Sequence, residues 1–219
     1  MRRLCLFLLS LVVFGIDEEK TCSNENCRIK LTYFDVKARA EPIRIALRRA
    51  NLNFIDERLS YESWIGGIKE QTPSGSLPVL EINGKTYTQS VAIARWAAKQ
   101  SDLYPQDALE ALAADEIMDV VQEILTKAPS PSDLTEKERL RKEYATGFMK
   151  KKMNFLASKI VGPFILGSQI CIADLVLYFF LLDMLRSGNF DFIQANYVDA
   201  FPPLVVLESA ISSSSILLT

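Results

Sequence analysis

Gln89 and Ser90 stand directly before the helix formers Val91-Ala92-Ile93-Ala94-Arg95-Trp96-Ala97-Ala98, with Ser90 where a helix N-cap belongs. A helix start gathers unpaired N–H groups and the positive end of the peptide dipole, so it can hold a carboxylate. Just upstream, Val79-Leu80-Glu81-Ile82 and Lys85-Thr86-Tyr87 flank Asn83-Gly84. Asn-Gly between two β-prone runs marks a two-residue hairpin, because both turn residues accept positive φ. Pro78 cannot donate to a ladder and so suits a strand start at a pocket rim. Hairpin and helix start together describe a site for a small, acidic, peptide-like ligand. Asp115, Asp119 and Glu123 recur at four-residue intervals and read as a solvated acidic face, as Lys150-Lys151-Lys152 reads as a solvated basic one.

Composition removes several chemistries. The chain has no histidine, which excludes a Ser-His-Asp or Cys-His catalytic pair and takes away the imidazole ligands of a catalytic zinc. It contains neither a Gly-x-Gly-x-x-Gly nor a Walker-type loop. A formal net charge of −2 argues against a nucleic-acid partner. With 219 residues, 49% of them hydrophobic, the chain can bury the core of one or two domains.

Met1-Arg2-Arg3 followed by the apolar run Leu4 to Ile16 reads as a secretory signal peptide over residues 1–15, cleaved after Gly15. The run is shorter than the roughly 20 residues of a bilayer span, although an uncleaved anchor is the other reading. Secretion or an endomembrane lumen is the expected location. A polar linker, 16–27, follows. Cys5 leaves with the signal, Cys22 and Cys27 either pair in an oxidising compartment or stay free, and Cys171 reads as a buried small hydrophobe.

The elements that must position these residues fall into two groups. Arg28 to Phe34 alternates polar and apolar like a half-buried strand. A helix opens at Arg39-Ala40-Glu41-Pro42 with Ile43, Ala46, Leu47 and Ala50 as its core stripe, and Asn53 to Leu59 forms a second strand. A looser stretch, Ser60 to Gly75, carries Trp64 and Lys69 before the hairpin and the helix after Ser90. This βαβ, irregular helix, ββα order predicts an α/β thioredoxin-like domain over 28–104. Beyond a boundary at 101–106, residues 107–219 predict an all-α domain. Its first stripe is Leu109, Leu112, Ala113, Val120, Val121, Ile124 and Leu125, and its second long helix runs Lys137 to Ile160. Ile172 to Leu185 is apolar all round and predicts a buried central helix too short to cross a membrane.

Lys30-Leu31-Thr32-Tyr33-Phe34-Asp35-Val36-Lys37-Ala38-Arg39-Ala40-Glu41 resembles the opening motif of sigma-class, cytosolic-type glutathione transferases. Leu77-Pro78-Val79-Leu80-Glu81, Asn83-Gly84-Lys85 and Gln89-Ser90-Val91-Ala92-Ile93-Ala94-Arg95 resemble that family's central block, and Gly167 to Leu175 and Asp199-Ala200-Phe201-Pro202 continue the likeness. The resemblance implies a homodimer whose first domain binds glutathione and whose helical half supplies the electrophile pocket. Tyr33 matches the catalytic tyrosine and Arg39 the arginine beside it. Such a tyrosine stabilises the thiolate of a thiol whose ordinary pKa is about 8.5. Trp64 and Lys69 match contacts to the glycine end of glutathione, and Leu77 and Pro78 match the cis-proline edge that pairs with its cysteinyl backbone. Gln89 and Ser90 match the γ-glutamyl carboxylate site, and Glu123 an acid that reaches the ligand's ammonium across the dimer. Glutathione is thus expected as co-substrate, with no permanently bound cofactor, no nucleic-acid partner and no membrane span in the mature chain.

In the related prostaglandin D synthases acids of the Asp115–Glu123 stripe bind a divalent cation. Gln122 replaces one of them, so no metal is expected. Four further departures stand out: Ser76 for Gln or Lys, Ser74 for an aromatic, Ala38 for glycine, and Cys171 for the Ser or Thr cap of the box ending in Asp174. The expected function is conjugation of glutathione to apolar electrophiles in detoxification. A glutathione-dependent prostaglandin-type isomerase and a non-catalytic binding protein are the alternatives.

Overall fold

The computed structural model describes residues 27–218, so the expected signal peptide, most of the linker, Cys5 and Cys22 lie outside the described residues. Cys27, at their edge, is disulfide-bonded. Strand β1 (Ile29–Phe34) runs through the middle of a sheet ordered β2-β1-β3-β4. It pairs in parallel with β2 (Phe54–Leu59) and antiparallel with β3 (Val79–Ile82), and β3 turns through Asn83-Gly84 into β4 (Lys85–Tyr87). Asn83 and Gly84 have φ of 50° and 80°, the left-handed pair that the hairpin requires. Ile29, Leu31 and Tyr33 all turn to the buried face, as the period-two pattern predicts.

Helix α1 (Glu41–Arg49) makes the crossover between the parallel strands. Ile43, Ala46 and Leu47 are buried as their spacing predicts, and so is Arg44, at 0% exposure. Its guanidinium donates from Nε to Asp56 Oδ1 (3.0 Å) and from Nη1 to the Val36 carbonyl (2.8 Å) and Glu41 Oε2 (3.0 Å). A buried charge is tolerable when it is paired and fully hydrogen-bonded. Arg44 thereby pins the loop between β1 and α1. The looser stretch resolves into two single-turn helices, α2 (Tyr61–Ser63) and α3 (Lys69–Gln71), around a π-turn, Trp64–Ile68. Helix α4 (Ser90–Lys99) packs beside α1 on the buried face.

The second half is helical. Asp107 caps α5 (Ala108–Lys127), accepting from the N–H groups of Leu109 (2.9 Å) and Glu110 (3.0 Å). The expected α5 stripe is corrected at its start. Leu109 and Leu112 are 75% and 65% exposed, while Ala114, Ile117, Met118, Val121 and Ile124 form the buried face at helical spacing. The next helix starts three residues earlier than expected. Asp133 caps α6 (Leu134–Tyr144), a π-turn follows at Ala145–Met149, and α7 (Lys150–Ser158) completes it. The apolar segment forms α8 (Ile172–Leu177), a π-turn (Tyr178–Leu182) and α9 (Asp183–Arg186), nearly all buried. Helix α10 (Pro202–Ser212) closes the bundle. Among the described residues no helix is long and apolar enough to cross a membrane.

Cys171 stands at the start of α8 and forms a reciprocal capping box with Asp174, its side chain facing the Asp174 N–H while the carboxylate reaches back. Oδ2 accepts from the Cys171 N–H and Oδ1 from the Ile165 N–H, both at 2.8 Å. Burial pushes the Asp174 carboxyl up to about 6, against the pull of these two amides. Asp174→Ala leaves both buried amides unpaired and should cost about 2 kcal/mol or more in chemical denaturation. A folded-state pKa above the unfolded value means the contribution of this group is full below about pH 4 and declines as pH rises towards 6. The gap between wild type and variant should narrow over that interval.

Candidate functional site

Tyr33, the last residue but one of β1, lies on the buried face and is 7% exposed. Its ring meets Phe34 edge-on at 5.6 Å between centroids, and Phe34 in turn meets Trp64 edge-on at 5.8 Å. Arg39, six residues further along the chain, acts on the phenol through its charge and its backbone amide, both of which lower the Tyr33 pKa. Its turn, Ala38–Ala40, is a short 3₁₀ segment and begins with Ala38 at φ 35°. A left-handed alanine is strained, which accounts for glycine being the easier residue there.

Arg39 is gripped by three separate elements. Nη1 donates to Ser90 Oγ at the start of α4 (3.1 Å) and to Gln122 Oε1 in α5 (2.5 Å). The guanidinium carbon lies 5.3 Å from the centre of the Phe180 ring, in the π-turn after α8. Burial lowers the Arg39 pKa and Tyr33 opposes the shift. Burial likewise raises the Tyr33 pKa, while the charges of Arg39 and Arg44 and the Arg39 amide pull it down. The result is a neutral phenol, a hydrogen-bond donor, beside a half-buried cation. Such a pair stabilises an anion that arrives at the phenol oxygen.

Ser90 is corrected from cap to first helical residue. Gln89 is the N-cap, at φ 74° and ψ 103°, and makes no side-chain capping bond, while the buried Ser90 hydroxyl serves Arg39 instead. A non-glycine residue held in this region is a form of strain concentrated at ligand sites. The Leu77–Pro78 peptide is cis, and the ladder to β1 begins only at Val79, opposite Thr32. The structure thus brings Tyr33, Arg39 and Ser90 together, with Gln89 and the Leu77–Pro78 edge at the same end of the sheet. Trp64 is buried against Phe34, whereas Lys69 is exposed on α3. The Ser76 hydroxyl pairs with that of Ser74 at 2.7 Å.

The acidic stripe is less free than its spacing predicts. Asp115 pairs with Arg95 (2.8 Å) and accepts from the Tyr104 hydroxyl (3.1 Å). Glu123 pairs with Lys127 (2.6 Å) and with Lys152, so one lysine of the basic run is an ion-pair partner rather than a solvated charge. Gln122, Phe180 and Arg44 are site or support residues to which sequence spacing assigns no such role. Replacing Ala38 by glycine should relieve about 1 kcal/mol of left-handed strain. A thermal melt should then rise by about 2–4 °C.

Residues 38–100 match the family model for the glutathione S-transferase N-terminal domain, and residues 118–216 match that for the glutathione S-transferase C-terminal domain. A glutathione S-transferase of Anopheles gambiae is 34% identical over 181 residues, which is 80% of this chain and 86% of that protein. The hematopoietic prostaglandin D synthase of Mus musculus is 31% identical over 189 residues, 84% and 90% of the two chains. Among solved structures, rat hPGDS complexed with a quinoline superposes with a TM-score of 0.75 at 25% identity, over 87% of this chain and 94% of that one.

Proposed function

Since the chain belongs to the glutathione S-transferase family, we propose that Tyr33 holds the glutathione sulfur as a thiolate for attack on small, mostly apolar electrophiles. The observation that carries this reading is the neutral, buried Tyr33 phenol with the Arg39 guanidinium beside it. A thiol of pKa about 8.5 is largely protonated near neutrality, and each unit of depression corresponds to about 1.4 kcal/mol of preferential thiolate stabilisation. The phenol donates to the sulfur, Arg39 adds positive field, and the proton leaves to solvent.

Leu77, outside the ladder beside a cis proline, supports pairing of its backbone with the cysteinyl peptide groups, as an added strand does. The α4 start, with Gln89 and Ser90, suits the γ-glutamyl carboxylate. Trp64 and Lys69 take the glycine end. Glu123, already paired with two lysines, meets the ammonium of a partner-bound ligand only by exchanging one of them. The working form is a sigma-type homodimer, secreted or lumenal, a location supported by the sequence of the leader and the disulfide at Cys27. The likeness to hematopoietic prostaglandin D synthases supports a second reading, in which the same thiolate isomerises a substrate rather than remaining in the product.

Glutathione conjugation to an aryl halide tests the proposal. Wild type should turn over, and Tyr33→Phe should lose about tenfold to a hundredfold in kcat/KM, the worth of a charge-assisted hydrogen bond. A wild type that binds immobilised glutathione but conjugates nothing would leave a binding protein, and a fully active Tyr33→Phe would remove the phenol from the mechanism.

A further inference from the structure

The acceptors that hold Arg39 are neutral. Ser90 offers a hydroxyl, Gln122 an amide oxygen and Phe180 a ring face. Among the described residues no carboxylate forms an ion pair with this guanidinium. Arg141 is held in the same way, by the Pro129 carbonyl and the Phe190 ring, whereas three other partly or fully buried arginines are paired with carboxylates. Arg44 is neutralised by Glu41 and Asp56, Arg95 by Asp115, and Arg186 by Glu208 and Asp199.

The carboxylates on the elements around Arg39 pair with other cations, as Glu41 and Glu123 do, or form no ion pair among the described residues, as with Asp119 and Asp183. On α1, Glu41 serves Arg44 and Arg48, and on α4 the charged neighbour is Arg95, spent on Asp115. On α5, Asp119 is exposed and Glu123 is held by Lys127 and Lys152. After the π-turn, the Asp183 carboxyl is raised by burial, with Lys37 opposing. From β1, the Tyr33 phenol is the group whose charge acts on the guanidinium.

We propose that Gln122 is a positioning residue whose neutral amide fixes Arg39 beside Tyr33 without cancelling its charge, so that the whole positive charge faces the anion at the phenol oxygen. The proposal deepens the thiolate reading and rests on it for the identity of that anion. Glutamate has the shape of glutamine and accepts from a guanidinium at least as strongly. It would therefore keep the anchor and turn the cation into an ion pair, whose field on the site is far smaller.

The test compares wild type with Gln122→Glu at two titrations. In the ligand-free protein, the Tyr33 phenol is followed by ultraviolet tyrosinate absorbance, with Tyr33→Phe in each background subtracted. With glutathione bound, the thiol is followed by thiolate absorbance and by the pH dependence of kcat/KM. Both midpoints should move up in Gln122→Glu, the thiol by about one unit, leaving about tenfold less thiolate at neutral pH. The denaturation midpoint should be kept or raised. A folded Gln122→Glu with an unchanged Tyr33 titration overturns the proposal, because a merely structural acceptor would behave in that way. A wild type that fails to bind glutathione contradicts the thiolate reading alone, and the phenol titration still decides the role of Gln122.

Discussion

A guanidinium withdrawn from water must find acceptors for its donors, and Arg39 finds its neutral partners on three elements of two different folds. Ser90 belongs to the thioredoxin-like half, and Gln122 and Phe180 belong to the helical half. The contact therefore makes the electrostatics of one half depend on the docking of the other. If α5 or the π-turn moves, the cation beside Tyr33 moves with it. The same dependence explains why a site so close to the sheet is completed by residues far along the chain.

The supports of that contact are themselves polar and buried. Arg44 ties the carbonyls at the end of β1 to α1, which fixes the turn that carries Arg39. Asp174 gathers the Ile165 and Cys171 amides at the start of α8, and the Ile172 N–H reaches across to the Leu103 carbonyl of the segment between the halves. Helix α8 then runs directly into the π-turn bearing Phe180. π-turns inside helices recur at functional sites, and here one aims a ring at the guanidinium. Two buried charges and a chain of backbone bonds thus hold one exposed chemical edge in place.

Much of this was legible in the residues because it depends on local rules. The period of β1 put Tyr33 on the buried face, Asn83-Gly84 fixed the hairpin, and the change of pattern after α4 separated the sheet from the helices. The likeness of the Tyr33–Arg39 stretch to a known motif supplied the chemistry that periodicity cannot. What stayed hidden depends on contacts between distant residues. Ser90 and Gln122 lie 51 and 83 positions from Arg39, so nothing in either neighbourhood announces that they share a partner. Arg44 has no role in the sequence pattern of its helix, and its burial rests on two carboxylates, one of them from β2. Leu109 and Leu112 fit an apolar stripe by spacing, yet the face that packs is centred on Ile117 and Val121.

The central claim is that a phenol kept neutral by burial and an uncompensated guanidinium combine to favour an anionic sulfur at Tyr33. The most direct measurement is a titration of glutathione bound to the wild-type protein, followed by thiolate absorbance. The account predicts a midpoint at least one unit below the free-thiol value of about 8.5. A midpoint at or above that value would contradict it.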